Sequence, residues 1–191
     1  MKKDRISLWL YILFLMAAFG LPFFSFDGYS IEKNTTSHLG AQGSPHSWLM
    51  NAIFVFLGAR AIWIAFRSGI PYHQIIGGGF GISLILTGLF QHAPLAGNVP
   101  ADLLEDRIHS IFASMTGFSF TLLAAGHGFM SRGPQRAGGF ALALVAVSIS
   151  LSMAAFPSIM GLLQRIMFIC AFGWLFFYLK PPTTNEQEKV L

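Results

Sequence analysis

Four of the six histidines, His38, His46, His92 and His109, lie in or beside two polar segments, with Gln42, Asn51, Gln91, Asp102, Asp106 and Ser110 close by in sequence. Asp106 and His109 are three residues apart, a spacing that puts a carboxylate and an imidazole on one helical face. Such a pair suits a general base and its orienter, or two ligands of a tetrahedral zinc ion. His92, with His38 or His46, could complete three or four ligands. The sequence holds no His-Glu-x-x-His array, and the plainer reading is that Asp106 caps a helix while Arg107 and His109 sit at headgroup level. The candidates are therefore Asp106, His109 and Arg165 for catalysis, and His38, His92 and His109 for metal binding. For ligand binding they are His38, Gln42, Asn51, His92, Asp106, His109, Gln164 and Arg165. Zinc is the one cofactor that these residue types suggest.

Arg165 and its neighbour Gln164 stand within an otherwise apolar run. A charge within hydrocarbon costs several kcal/mol unless it snorkels or is paired. Gln164 and Arg165 come about five residues into the last helix, a depth of roughly 8–10 Å at 1.5 Å per residue. Arg165 is expected either to snorkel to the nearer surface or to pair with Asp106, which belongs to the same rim. Arg60, some seven residues from Arg67, has no carboxylate near it in sequence and reads as a headgroup contact through snorkelling.

The elements that must position these groups are membrane spans. Apolar residues make up 54% of the 191-residue chain and charged residues 10%, well below the roughly 25% of soluble domains. Six apolar runs each approach the roughly 20 residues that cross a bilayer. The expected fold is all-α: a polytopic membrane protein with a bundle of six transmembrane helices at about 6–26, 46–67, 75–92, 107–130, 137–156 and 159–179. One transmembrane domain covers residues 1–180, and the polar residues 181–191 read as a disordered cytoplasmic tail. Basic residues collect on one side (Lys2, Lys3, Arg5, Arg67, Arg132, Arg136, Lys180, Lys189), against Lys33 and Arg107 on the other. The positive-inside rule then places both termini in the cytoplasm. The first run is too long for a signal peptide and lacks a small-x-small cleavage site.

Two long connections, Asp27–Ser47 and Gln91–Arg107, face the outer side, whereas Pro157-Ser158 is hardly a turn. Loops of that length in a compact fold are functional or disordered; the uncharged middle of the first, Thr36–Gln42, predicts that it folds back onto the bundle. Ser44-Pro45 predicts a helix start at Pro45, and Val99-Pro100 a short interfacial segment leading into the fourth span. Gly77 and Gly81 are four apart and suit close helix contact; no strand precedes them and no Lys-Ser/Thr follows, so this is not a phosphate loop. The single cysteine, Cys170, provides neither a disulfide nor a thiolate cluster. Asn34-Thr35-Thr36 matches a glycosylation acceptor. His73 and His127 fall near the cytoplasmic rim, where a bis-histidine haem is conceivable by residue type but not by depth.

The stretches Asn34–Gln42, Trp48–Asn51, Asp106–Ala113 and Gln164–Ile166, with Trp174, resemble in order and spacing the bacterial membrane family filed as domain of unknown function 998. The likeness runs from the first helix through Trp174. It implies a six-helix bundle and brings no assigned activity, cofactor or partner. The chain is accordingly expected to be an integral protein of the bacterial inner membrane that binds a lipid, quinone or small amphiphile at a polar site in the outer leaflet. The alternative is a metal-dependent lipid hydrolase or transferase, with Asp106 as base and Arg165 on a phosphate or oxyanion. Membrane lipid is the expected partner and protein partners are unspecified. Nucleic acid is excluded, because the net charge of +4 is scattered along the chain. No internal repeat or broken helix pair points to a secondary transporter.

Overall fold

The computed structural model describes residues 4–95, 97 and 99–179, so the tail expected at 181–191 lies outside the described residues. Helix α1 (Arg5–Gly20) continues as a 3-10 turn to Phe24, followed by a short α2 (Thr36–Leu39) and by α3 (Ser47–Arg67). Helix α4 (Gly78–Leu89) is preceded by a π-helical turn, His73–Gly77. Then come α5 (Leu103–Met130), α6 (Gly133–Ala155) and α7 (Met160–Gly173), the last extended by a second π-helical turn, Trp174–Tyr178. No strand occurs among the described residues. Among the described residues, five segments are long and apolar enough to span a membrane: Arg5–Phe24, Ser47–Arg67, Leu103–Met130, Gly133–Ala155 and Pro157–Tyr178. His73–Leu89 is the shorter sixth. This is a polytopic, all-α membrane protein. Large apolar side chains such as Trp9, Phe56, Phe118 and Leu151 cover its outside.

Each span packs on the next in chain order, and α7 returns to α1. An aromatic column fills the centre. Phe14 of α1 meets Phe168 and Phe172 of α7; Phe54 of α3 meets Phe168; Phe80 of α4 meets Phe120 of α5; and Phe120 meets Trp174. Only Gly139 and Ala146 of α6 are buried, so this helix lies on the outside of the bundle against α5 and α7. Without a hydrophobic force between helices in lipid, contact depends on close van der Waals fit. The α3–α4 crossing shows it: a Cβ built on Gly58 would lie 2.5 Å from the Gly81 carbonyl oxygen, and one on Gly81 2.5 Å from that of Gly58.

Several expected boundaries move, each for a local reason. Helix α3 starts at Ser47, not Pro45, because His46 takes a left-handed conformation (φ 57°) that breaks the helix before it. Helix α5 starts at Leu103, because the Asp102 carboxylate caps it by accepting from the Leu104 and Glu105 amides. The interfacial segment expected before the fourth span is thus its own first turn. Helix α6 begins at Gly133, with Pro134 in its first turn. Arg60 is not a bare headgroup contact: it pairs with the Asp4 carboxylate at the start of α1, and its Nε donates to the Ser7 hydroxyl at 3.0 Å.

Candidate functional site

The long connections meet at one rim, and the first of them turns inward. Thr35 to Gln42 are all buried. Three of the candidate residues act as struts for this inverted segment. Gln42 Nε2 donates to the Asp102 carbonyl at 3.0 Å while its Oε1 accepts from the Asp102 amide at 2.8 Å, joining the two connections. Asn51 Nδ2 donates to the Gly40 carbonyl at 3.0 Å, and Gln164 Oε1 accepts from the Thr36 amide at 2.8 Å and its hydroxyl at 2.7 Å. Asn34, the acceptor of the glycosylation motif, is half-buried and takes the Ser30 amide on its Oδ1.

Arg165 is fully buried, and it does not pair with Asp106. Its Nε donates to the Ala18 carbonyl at 2.9 Å, and its Nη1 to the carbonyls of Ile31, Asn34 and Gly161 at 2.9, 2.8 and 3.0 Å. Its Nη2 donates to the Tyr29 hydroxyl at 2.7 Å. The sequence explains the first bond. The helical partner of the Ala18 carbonyl would be residue 22, which is proline and has no N–H, so the carbonyl is left for the guanidinium. Gly161 explains two others, since a Cβ there would lie 2.3 Å from the Asn34 oxygen and 2.6 Å from the Ile31 oxygen. A positive charge is held by four backbone carbonyls and one phenol hydroxyl, with no carboxylate among its partners. The guanidinium is thus seated among α1, the connection after it and α7, and its hydrogen bonds hold the fold together. Burial pushes the Tyr29 phenol up, against the opposing pull of Arg165.

The histidines do assemble. The His38 and His92 rings are 4.8 Å apart between centroids, and His92 and His109 are 5.5 Å apart. His92 Nδ1 lies 3.5 Å from the Asp106 carboxylate, whose Oδ1 accepts from the Ala93 amide at 2.7 Å. Hydrogen-bond partners fix the tautomers. His109 Nδ1 faces two carbonyl oxygens, Thr87 at 3.0 Å and Phe90 at 2.9 Å, so it carries the proton and Nε2 is a lone pair. That Nε2 is buried and has no partner. His38 Nδ1 accepts from the Thr35 amide at 3.0 Å, which leaves the proton on Nε2. His92 Nδ1 donates to the Ala93 carbonyl at 3.0 Å. Burial, reinforced by His92, His109 and Arg165, pushes His38 down to about 4, so its ring is neutral at pH 7. His46 caps α3 and is exposed, apart from this group.

Zinc fits this arrangement poorly. The His38 lone pair is already taken by a backbone amide, and among the described residues no group of three or more His, Cys, Asp or Glu side chains is placed to hold a metal ion. At the opposite rim, His127 Nδ1 and His73 Nε2 are hydrogen-bonded to each other at 3.3 Å. Directly bonded rings leave no slot for a porphyrin between them.

Sequence reasoning missed a cavity. A cleft of about 580 Å³ lies between α4, α5, α6 and α7, and no charged side chain lines it. Ser37, Thr87, Thr116 and Gln164 line it on the side of the long connections, Ser114, Thr121 and Ser150 add further hydroxyls, and Leu84, Val147, Leu151, Met167 and Phe168 supply apolar walls. The signal was a stripe of small residues on one face of α5, Ala113, Gly117 and Thr121, at i, i+4 and i+8. The hydroxyls of Thr87, Thr116 and Thr121 give their protons to the carbonyls of Ser83, Phe112 and Gly117, four residues back. Their oxygens keep lone pairs, and Gln164, its Oε1 used by Thr36, has its amide N–H groups for the cavity.

No curated protein and no solved structure matches the chain. The family model described as "Protein of unknown function (DUF998)" matches residues 9–179, nearly the whole of the described bundle, and the chain belongs to that family.

Proposed function

We propose that this protein binds a lipid or small amphiphile of the membrane in the cleft between α4, α5, α6 and α7, with the polar end of the ligand at the rim of the long connections. The observation that carries this reading is the composition of the cleft, which is mostly apolar, with several hydroxyls and one amide and without a formal charge. A ligand site in a bundle has this composition, mostly apolar with a few placed polar groups. Along α5 the cleft runs from Ala113 to Thr121, roughly 12 Å at 1.5 Å per residue, which suits part of an acyl or isoprenoid chain. The exposed side chains of Phe118 and Leu151 at its mouth open it toward lipid.

The rim with the long connections is read as the outer one, in a cell membrane of bacterial type, with both termini cytoplasmic. Arg67, Arg132 and Arg136 at the short-loop rim, against Lys33 and Arg107 at the other, support this orientation. Cysteines engineered at Asp27 and Arg107 should react with an impermeant maleimide from outside intact cells; reaction only after lysis reverses the orientation.

Gly117 gives the test of the cleft. A Cβ at this position meets nothing within 4 Å, so Gly117→Leu fills the space without disturbing the helix contacts. Native mass spectrometry of the protein released from mild detergent should show a co-purifying amphiphile on the wild type and its loss from Gly117→Leu at unchanged thermal stability. Equal occupancy of the two proteins overturns the reading.

A further inference from the structure

We infer that the ligand of this cleft carries a neutral hydroxyl head, as a long-chain alcohol or an acylglycerol does, and that His38 and His109 read that hydroxyl. The inference rests on the proposed amphiphile cleft and narrows its ligand. Three observations carry it. The first is the buried, unpartnered Nε2 of His109. With its proton fixed on Nδ1 by the Thr87 and Phe90 carbonyls, this atom can only accept. A buried acceptor without a donor is destabilising, and a ligand that supplies an O–H or N–H to it removes that cost.

The second observation is the complementary donor. The Thr35 amide fixes His38 in the Nε2–H form, and the His92 ring stands between His38 and His109. The cluster therefore offers a donor on His38 and acceptors on His92 and on the buried His109 Nε2, and a hydroxyl, both donor and acceptor, can meet either kind. A quinone carbonyl supplies no proton to His109.

The third is electrostatic. Arg165 is turned to carbonyls and to Tyr29 and away from the cluster, Asp106 brings a carboxylate to 3.5 Å from His92, and the cations of this rim, Lys33 and Arg107, are exposed. A phosphate head at the cluster would be repelled by Asp106 and would meet imidazoles in place of arginines. The cluster borders the cleft on the side of the long connections. Ser37, a lining residue, precedes His38, and Thr87, another, holds His109 through its carbonyl. Ala113 and Thr116 of the lining lie four and seven residues after His109, on the same face of α5.

The test is a ligand panel on the full-length protein in detergent, using 1-monooleoylglycerol, oleoyl lysophosphatidate and decylubiquinone, with binding read by intrinsic tryptophan fluorescence or native mass spectrometry. Monooleoylglycerol should bind at least tenfold more tightly than the other two. His109→Ala should remove that preference, while His109→Gln, which returns an acceptor oxygen, should restore part of it. Equal or tighter binding of lysophosphatidate or decylubiquinone overturns the hydroxyl inference, as does an unchanged preference in a folded His109→Ala. The wild-type panel alone decides the matter where His109→Ala does not fold. The two readings fail differently. If all three amphiphiles bind alike and Gly117→Leu blocks them all, the cleft stands and the hydroxyl inference falls; if Gly117→Leu blocks none, the cleft itself falls.

Discussion

Replacing Arg165 is the most demanding test of the packing described above. The guanidinium donates five hydrogen bonds, four to carbonyls and one to Tyr29. Asn34 keeps a second donor in the Tyr29 hydroxyl at 3.0 Å, and the Gly161 carbonyl lies within α7, four residues before Arg165. Truncation to alanine thus strands mainly the carbonyls of Ala18 and Ile31, at about 1–3 kcal/mol each. The void left beside Phe19 and Tyr29, over whose rings the guanidinium carbon lies at 5.9 Å, adds about 1–2 kcal/mol. The expected loss is roughly 3–8 kcal/mol, comparable with the total stability of many proteins. Lysine, with three donors on one nitrogen, should recover part of it. Tryptophan-fluorescence melting in detergent measures the loss, and limited proteolysis between residues 25 and 46 reports the release of the buried connection. Because Arg165 contacts backbone and not Asp106, Arg165→Gln and Asp106→Asn should add within about 0.5 kcal/mol. A cost below about 1 kcal/mol for Arg165→Ala, or rescue of Arg165→Gln by Asp106→Asn, refutes the carbonyl cradle.

His38 has an ordinary value of 6.5 and is held at about 4 when folded, so between those pH values the unfolded chain binds the proton and the folded chain does not. Stability should therefore fall as pH drops from about 6.5 to 4, by up to roughly 3 kcal/mol from this residue; His38→Gln should flatten the melting temperature against pH there, and identical slopes count against it. Gly58→Val or Gly81→Val drives a side chain into the facing carbonyl, 2.5 Å from the Cβ, and should cost more than about 2 kcal/mol in the same melt, whereas Gly117→Ala should be close to neutral. Asp4→Asn removes the Arg60 partner at a half-exposed site and should change the melting free energy by no more than about 1 kcal/mol.

The spans were legible because lipid imposes a length and an apolar composition that few other folds share. The α3–α4 contact was legible in part: Gly77 and Gly81 were visible as a pair, but Gly58, the residue that Gly81 meets, could not be chosen from one sequence. Helix starts shifted where a side chain or a single φ decided them, as Asp102 did for α5 and His46 for α3. Several polar residues of the rim lie together, with His46 apart, and their contacts differ. Gln42, Asn51 and Gln164 satisfy backbone groups of the buried connection. Charge pairing was the natural expectation for Arg165, since sequence displays carboxylates and hides orphaned carbonyls. Pro22, four residues after Ala18, was the one visible sign that a carbonyl would need another donor. The cleft escaped because small residues on α5 read equally well as helix contact.

The carbonyl cradle also has a consequence for how the protein is built. Helix α7 leaves the ribosome last among the described helices, bearing an arginine that α7 alone cannot satisfy in hydrocarbon. The groups that receive it come from α1 and from the connection after α1, synthesised some 130 to 150 residues earlier. By the time α7 enters the bilayer its receptor can already be folded against α1. Docking of α7 then brings the guanidinium to these carbonyls in the same step that closes the ring of helices. Until then the carbonyls of Ala18 and Ile31 lack the guanidinium that satisfies them. The bundle's completion is signalled by the burial of a single charge.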